Sequence, residues 1–258
     1  MEKEWRLIFD KKSAGYYNMA ADEALVNSYR KNRVPVFRVY GWSRPFVTLG
    51  YRQSCDGVLR EHSGVDFTRR ITGGSAILHN DEITYSLVCS KKDLDLQGSV
   101  KESYKKLSSF LIKFYFSMGL NADFAGELPG CNVSMCEDIC FLTNEYYDIV
   151  INNKKIGGNA QKRLGDIIFQ HGSIPLTLDN KVFDSVFLTD ASLPLRPLSL
   201  FELVDKKSYV AIAKRLCLDF QNTFNINFKS SKFSVDEKSD CCELLKQKYL
   251  SDAWNFKK

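Results

Sequence analysis

The chain lacks the features that mark a membrane-spanning or secreted protein. None of its 258 residues lies in an apolar run of about 18 or more, so no membrane-spanning helix is expected. Its first segment, MEKEWRLIFDKK, is charged and has no apolar centre, so we expect no secretory signal. The sequence therefore predicts a cytoplasmic protein whose thiols stay reduced.

Two further absences limit the kind of site. None of the eight cysteines forms a C-x-x-C pair, and the spacing of Cys131, Cys136 and Cys140 fits no common zinc or iron–sulfur pattern, so no metal is expected. The net charge of +5 comes from lysines spread along the chain. Because no stripe of interleaved basic and aromatic residues is present, nucleic acid is not an expected partner.

The order of the predicted elements indicates an α+β protein. Periodicity predicts a helix at residues 18–30 and a longer one that begins with a Ser99–Glu102 capping box, with an apolar stripe from Val100 onward. Strand-like runs lie at residues 36–40, 46–51, 65–70, 83–89, 147–151, 155–161 and 167–176, and a turn at residues 164–166 joins the last two. Short helices follow residue 179, and one of them begins with a second capping box, Ser234 with Glu237. The expected fold is a mixed, mainly antiparallel sheet with helices to one side.

The string RRITGGSAILH, residues 69–79, is the most informative stretch. A strand-like run precedes its glycine pair and another follows, and glycine lets backbone N–H groups approach a ligand closely. The planar fork of an arginine suits a carboxylate or a phosphate. The string is typical either of a loop that binds an oxygen-rich group or of a hairpin turn beside a surface salt bridge.

Two other segments carry residues of chemical interest. In KIGGNAQ, Lys155 precedes Gly157 and Gly158, and its ammonium could neutralise an oxyanion or a phosphate. The alternative is a flexible strand with a solvent-exposed lysine. In QHGS, His171 stands beside a glycine within a predicted strand, and the alternative there is a hydrogen-bonded core histidine.

Taken in order, these segments resemble the lipoate–protein ligase and octanoyltransferase superfamily, which shares its catalytic fold with biotin–protein ligases. The matching strings are NMAADEAL, WSRPFVTLGYRQ, RRITGGSAILH, ITYSLV, KIGGNAQKRLGDIIFQHGSIPL and KYLSDAWNF. The resemblance implies a single catalytic domain over residues 1–258. Its core is expected at about 5–185 and a helical C-terminal extension at about 186–258.

The resemblance implies transfer of an octanoyl or lipoyl group to a lysine of a lipoyl domain or of the glycine cleavage H protein. Ligases of the superfamily activate a free acid with ATP and Mg²⁺, whereas transferases take octanoyl from acyl carrier protein through a cysteine thioester. Cys140, followed by Phe141 and lying before Lys155, resembles the cysteine of the transferases. A thiolate can exchange with a thioester and then acylate an amine. The alternative is that Cys140 merely packs beside Phe141.

We therefore predict an octanoyltransferase without a cofactor, in which Cys140 and Lys155 are catalytic and the acyl chain lies in an apolar slot. Lys155 would favour the thiolate and stabilise the tetrahedral intermediate. The residues predicted to bind substrate are Arg69, Arg70, Gly73, Gly74, Ser75, His79, Gly157, Gly158 and His171. The arginine pair would fix the loop or meet the phosphate of the carrier.

Two departures from the family pattern keep alternatives open. Transferases of this kind often have arginine where Ser75 follows the glycine pair, and many members have aspartate where Asn80 follows the histidine. The first alternative is an ATP-dependent lipoate or octanoate ligase that uses Mg²⁺, with Cys140 incidental. The second is a non-catalytic protein that binds lipoyl domains.

Overall fold

A computed structural model of the chain describes residues 3–129, 131, 146–188 and 197–257. The strands are β1 (Lys3–Ser13), β2 (Val36–Trp42), β3 (Phe46–Leu49), β4 (Asp66–Arg69), β5 (Ile77–His79), β6 (Glu82–Ser90), β7 (Asp123–Phe124), β8 (Ile149–Ile151), β9 (Lys154–Lys155), β10 (Gly158–Leu164), β11 (Ile167–Pro175) and β12 (Ile226–Ser231). The α-helices are α1 (Gly15–Asn32), α2 (Val100–Ser117), α3 (Asn180–Val186), α4 (Tyr209–Phe224), α5 (Val235–Leu244) and α6 (Asp252–Asn255). Short 3₁₀ turns lie at Lys92–Leu94, Ala125–Glu127 and Leu200–Glu202, and a π-helical turn lies at Leu245–Tyr249.

The central sheet has the strand order β10-β11-β6-β2-β1-β12. β1 runs parallel to both of its neighbours, and the other pairs in this sheet are antiparallel. The predicted α+β class with a mixed, mainly antiparallel sheet is therefore confirmed. The C-terminal extension, for which helices are predicted, contains α4, α5 and α6 and also the strand β12. The polar sequence of β12, INFKSS, shows little strand pattern, and its long-range pairing with β1 holds it in the sheet.

Side chains that alternate along β2 give the central sheet two covered faces. Phe37 and Val39 belong to a core that includes residues of α2 and α4, whereas Val36 and Tyr40 belong to a core that includes residues of α1 and α5. The predicted one-sided arrangement of helices is therefore wrong. β2, β6 and β11 are buried along their whole length, so both of their faces need a helical cover.

Two smaller sheets position the candidate site. β3 lies between parallel β4 and antiparallel β5, and the glycine pair of RRITGG lies in the connection from β4 to β5. β7, β8 and β9 form the other sheet, in which Asn152 and Asn153 make a tight turn with φ values of 51° and 60°. The hairpin predicted here is confirmed. Its second strand is only Lys154–Lys155, however, because the chain then joins the central sheet as β10.

Both helices for which a capping box is predicted begin with one. Ser99 with Glu102 caps α2, and Ser234 with Glu237 caps α5. The predicted apolar stripe of α2 fails at Val100, which is 58% exposed because the first turn extends beyond the packed part of the helix. Among the described residues, no helix is both long enough and apolar enough to span a membrane.

Candidate active site

A narrow slot lies between the central sheet, the β4-β3-β5 sheet and α1. It encloses about 280 Å³, counting its opening to solvent. Its lining residues are Met19, Tyr40, Trp42, Thr48, Arg70, Ile77, His79, Thr84, Gly158, Ala160, His171, Gly172 and Ser173. The slot thus brings together predicted site residues from each of the three sequence motifs.

Arg70 lies inside the slot and holds the loop that carries Gly73 and Gly74 between β4 and β5, here called the glycine loop. Its guanidinium donates hydrogen bonds to the carbonyl oxygens of Gly73 (2.7 Å) and Ser75 (2.8 Å). It also donates to the carbonyl of Thr48 in β3, at 2.9 Å. The Arg70 side chain is fully buried. The geometry therefore favours loop fixing as its role, and it positions Ser75 through the backbone of that residue.

The two glycine motifs bring backbone close to the slot without side chains. A Cβ atom added to Gly50, just after β3, would lie 1.7 Å from the carbonyl oxygen of Gly74. Gly74 itself has a φ of 86°, which favours glycine. In the second motif, a Cβ at Gly157 would lie 2.3 Å from the carbonyl oxygen of Ser173. Both close approaches exclude any residue larger than glycine.

Arg69 points away from the slot, because adjacent residues of a strand face opposite sides. Its guanidinium donates to backbone carbonyls of the loop after β3 and of the C-terminal segment, residues 249–257. Arg69 does not line the slot. This geometry favours the loop-fixing role among the two roles predicted for Arg69, and a contact of Arg69 with substrate stays a prediction.

His79 is held between a carboxylate and a hydroxyl. Its Nδ1 lies 2.9 Å from Glu82 Oε1, and its Nε2 lies 2.8 Å from Thr48 Oγ1. The ring stacks on Trp42 with centroids 3.9 Å apart, and the Trp42 indole donates to the same Glu82. Burial alone would raise the pKa of Glu82, but His79 and two hydroxyl hydrogen bonds hold that pKa below its ordinary value. An ionised Glu82 thus fixes the orientation of the imidazole.

His171, on another side of the slot, likewise lies between a carboxylate and a hydroxyl. Its Nε2 lies 2.8 Å from Thr72 Oγ1, and its Nδ1 lies 3.7 Å from Asp22 Oδ2. Burial lowers the pKa of His171, and the neighbouring Asp22 offsets this only in part. Burial alone would raise the pKa of Asp22, but His171 and Arg38 hold it below its ordinary value. His171 both lines the slot and is a hydrogen-bonded, buried histidine.

The two histidines are connected to Arg70 by the same kind of link. Thr72 Oγ1 accepts a hydrogen bond from Arg70 Nε at 3.1 Å, and Thr48 Oγ1 accepts one from Arg70 Nη1 at 3.3 Å. Each histidine therefore connects a buried carboxylate, through a threonine, to the arginine that holds the glycine loop. The accessible surface of the slot is mainly apolar, as predicted, while the polar groups behind this surface are hydrogen-bonded to one another.

Sequence reasoning missed the two carboxylates behind this surface. Asp22 is 1% exposed and lies on the buried side of α1 with Ala21 and Leu25. A carboxylate on an otherwise apolar helix face is a signal that could have marked it, because such a group needs a buried partner. Glu82 begins the long buried strand β6, and its charge at the start of an apolar run is a comparable signal.

Lys155 is buried at the end of the β8-β9 hairpin. Its Nζ donates to Asp148 Oδ2 at 2.5 Å, and the two side chains are 4% and 6% exposed. Pairing of Lys155 with Val150 across the hairpin fixes its position beside the glycine motif of β10. The solvent-exposed alternative is therefore wrong, and the catalytic role of Lys155 stays a prediction.

Cys140 lies outside the described residues, as does Cys136. Burial raises the pKa of the Cys217 and Cys241 thiols to about 12 and raises that of Cys89 as well. These three cysteines are therefore poor nucleophiles, and the catalytic role of Cys140 stays a prediction. Within the described ranges, no cluster of three or more His, Cys, Asp or Glu side chains is arranged to hold a metal.

Solved structures define the class of fold. The chain superposes on the lipoate protein ligase from Thermoplasma acidophilum, which is described as bi-partite, with a TM-score of 0.81 at 22% identity over 98% of this chain and 96% of that one. A lipoate-protein ligase A bound with ATP gives a TM-score of 0.82 at 24% identity over 98% of both chains. The fold is therefore that of a lipoate–protein ligase.

The chain belongs to the lipoyl protein ligase A/B catalytic domain family, whose pattern matches residues 14–199. Relatives similar over nearly the full length are proteins named octanoyltransferase LipM. The one from Bacillus subtilis is 30% identical over 100% of both chains, and that from Carboxydothermus hydrogenoformans is 33% identical over 98% of both. The relative from Oceanobacillus iheyensis is 31% identical over 96% of both. The superfamily resemblance read from the motifs is confirmed.

Proposed function

We propose that this chain is an octanoyltransferase of protein lipoylation, which acts in the cytoplasm without a cofactor. The donor is octanoyl–acyl carrier protein, and the acceptor is a lysine of a lipoyl domain or of the glycine cleavage H protein. The observation that carries the proposal is a slot framed by two glycine motifs and lined by Arg70, His79 and His171, in a chain whose nearly full-length relatives are named octanoyltransferase.

The proposed reaction consists of two acyl transfers. The Cys140 thiolate attacks the carbonyl carbon of the octanoyl thioester, the carbon–sulfur bond to the carrier breaks, and the carrier sulfur leaves and takes up a proton. The neutral amine of the target lysine then attacks the Cys140 thioester. An amide bond forms and the Cys140 sulfur leaves as a thiolate. The attacking nitrogen loses one proton, which balances the proton that the carrier sulfur took up in the first transfer. Both steps exchange one acyl group and need no nucleotide.

Lys155 would stabilise the oxyanion that develops in each step. Its ion pair with Asp148 supports this role, because the carboxylate favours the charged ammonium in a buried position and holds it in one place. The ammonium lies at the end of the hairpin that leads into the glycine motif beside the slot. The proposal requires that a carbonyl group at the slot opening lies near both the glycine backbone and this positive charge.

The test of the cysteine step is the intact mass of the protein after incubation with octanoyl–acyl carrier protein. We expect the mass of an added octanoyl group in the wild type and in Cys136→Ser, and no such thioester adduct in Cys140→Ser. Cys136 is the matched control because it lies four residues away in the same segment. An octanoyl adduct that persists unchanged in Cys140→Ser would refute Cys140 as the nucleophile.

A second assay tests the donor, because Ser75 and Asn80 depart from the transferase pattern. We expect transfer to a lipoyl domain from carrier-bound octanoyl, and no pyrophosphate release from lipoate with Mg·ATP when carrier is absent. Robust turnover with ATP would establish the ligase alternative instead. Binding of a lipoyl domain without transfer from either donor would establish a non-catalytic protein.

A further inference from the structure

The C-terminal segment, residues 249–257, is joined to β4 by buried hydrogen bonds that the proposed reaction does not use. Asn255 is 5% exposed and accepts from the Thr68 hydroxyl (2.6 Å) and from the Arg69 backbone N–H (3.2 Å). Its amide donates to the carbonyl of Tyr249 at 2.9 Å. The Trp254 indole N–H donates to the carbonyl of Arg69 at 2.8 Å. The segment is thus fixed to the strand that ends at the two arginines.

Arg69 connects this segment to the loop of residues 50–53. On one side its guanidinium donates to the carbonyls of Trp254 (3.1 Å), Asn255 (3.1 Å) and Lys257 (2.8 Å). On the other side it donates to the carbonyls of Gly50 (2.8 Å), Tyr51 (3.3 Å) and Gln53 (2.5 Å). One buried side chain therefore sets the separation and orientation of two backbone segments.

The loop of residues 50–53 contacts the glycine loop that Arg70 holds. The Tyr51 backbone N–H donates to the carbonyl of Thr72 at 2.8 Å, and the Gly74 carbonyl fills the space where a Gly50 side chain would lie. Arg70 supports the glycine loop from the slot side, and Arg69 supports it from the opposite side through residues 50–53. A shift of the C-terminal segment would therefore be passed on to the glycine loop.

We propose that Asn255 and Arg69 are positioning residues for acyl binding, and that the C-terminal segment holds the glycine loop in the conformation that shapes the slot. None of residues 249–257, all of them described, lines the slot. The effect on acyl binding is therefore indirect, through Arg69 and residues 50–53. The proposal extends the function proposed above, and its kinetic consequence rests on that function.

The kinetic test compares Asn255→Ala with Phe256→Ala in octanoyl transfer from acyl carrier protein. We expect the KM for the carrier-bound donor to rise about tenfold in Asn255→Ala with kcat within about twofold, because loss of buried hydrogen bonds leaves the binding loop less preorganised. Phe256 is the matched control, since its exposed ring packs on Phe67 in the same segment. It should change both constants by less than about twofold.

Amide hydrogen exchange supplies a measurement that does not depend on activity. We expect faster exchange at residues 50–53 and 72–75 in Asn255→Ala, and a smaller change of the same kind in Trp254→Phe, which keeps an aromatic ring but loses the indole donor to Arg69. Phe256→Ala should keep wild-type exchange in both loops. If Asn255→Ala fails to fold, Trp254→Phe decides the question.

The outcomes separate this proposal from the proposed function. A wild type that transfers no octanoyl contradicts the function, while loop exchange still tests the positioning role. The opposing result is an Asn255→Ala variant that has a lower Tm and yet shows the same KM and the same exchange rates in both loops as Phe256→Ala. In that case the segment only stabilises the fold, and the positioning role is overturned.

Discussion

Gly50 is a residue at which a single methyl group should disturb the candidate site. Its added Cβ would lie 1.7 Å from the Gly74 carbonyl, whereas a Cβ at Gly73 would meet no atom within 4 Å. We expect Gly50→Ala to lower the free energy of unfolding by about 1–3 kcal/mol, because two backbone segments must separate. Gly73→Ala should stay within about 0.5 kcal/mol of the wild type. Thermal unfolding of both variants checks this, and equal Tm values would contradict it.

The ion pair of Lys155 and Asp148 gives a second prediction at the same scale. Asp148→Asn leaves a buried ammonium without its carboxylate, so we expect a loss of about 3–5 kcal/mol in the free energy of unfolding. The double variant Asp148→Leu with Lys155→Met should recover much of that stability, because neither charge is then buried, yet it should not transfer octanoyl. Denaturant unfolding and the transfer assay measure the two effects. A double variant no more stable than Asp148→Asn contradicts the argument.

The arginine pair shows what a motif can predict about single residues and what it cannot. RRITGG indicates a loop held by arginine, and both side chains do hold loops. The direction in which each points depends on the register of β4 against β3, which is a tertiary property. For the same reason the sequence did not predict that Arg69 meets backbone carbonyls of the C-terminal segment, far along the chain.

At the scale of elements, the turn between β8 and β9 sets the position of Lys155. Asn152 and Asn153 both have positive φ, which the hairpin turn requires and which β-branched residues resist. We expect Asn153→Gly to keep or slightly raise Tm, and Asn153→Val to cost about 1–2 kcal/mol. Lys154→Val is the control, because its exposed strand position accepts a β-branched residue. If Asn153→Val and Lys154→Val have equal Tm values, the turn does not impose this conformation.

Elements with local signals could be predicted from the sequence, and elements that depend on distant partners could not. The capping boxes of α2 and α5 and the β10-β11 hairpin are local, and each is present. β12 has few buried residues and exists because β1 offers a parallel edge more than two hundred residues away. The cover of helices on both sheet faces likewise depends on how the strands are ordered in space.

At the scale of the whole molecule, the slot is assembled by three motifs that lie far apart in the chain. The order of these motifs resembles that of the lipoate–protein ligase and octanoyltransferase superfamily, and this resemblance made it possible to predict that Arg70, His79 and His171 meet. The carboxylates that orient the histidines come from α1 and from the start of β6, and only the packing of helix on sheet brings them there. Sequence patterns thus indicated the residues that line the slot better than the carboxylates behind them.

These buried histidines and carboxylates should make the stability of the whole protein depend on pH. Burial lowers the pKa of His171 in the folded state, and the unfolded histidine titrates near pH 6.5. Between these two pKa values the unfolded chain binds more protons, so the contribution of His171 is fully present above about pH 6.5 and is lost as the pH falls through the lowered value. The lowered pKa values of Asp22 and Glu82 act in a separate window, below their ordinary values.

We therefore expect the free energy of unfolding to be lower at pH 5.5 than at pH 7.5, and expect His171→Gln to reduce that difference. His62→Asn is the matched control, because His62 is exposed and asparagine tolerates its φ of 61°. Denaturant unfolding of the three proteins at both pH values makes the comparison. A neutral imidazole held between Asp22 and Thr72 is the source of this difference, so a His171→Gln variant that keeps the full pH dependence of the wild type, while His62→Asn loses it, would contradict the prediction.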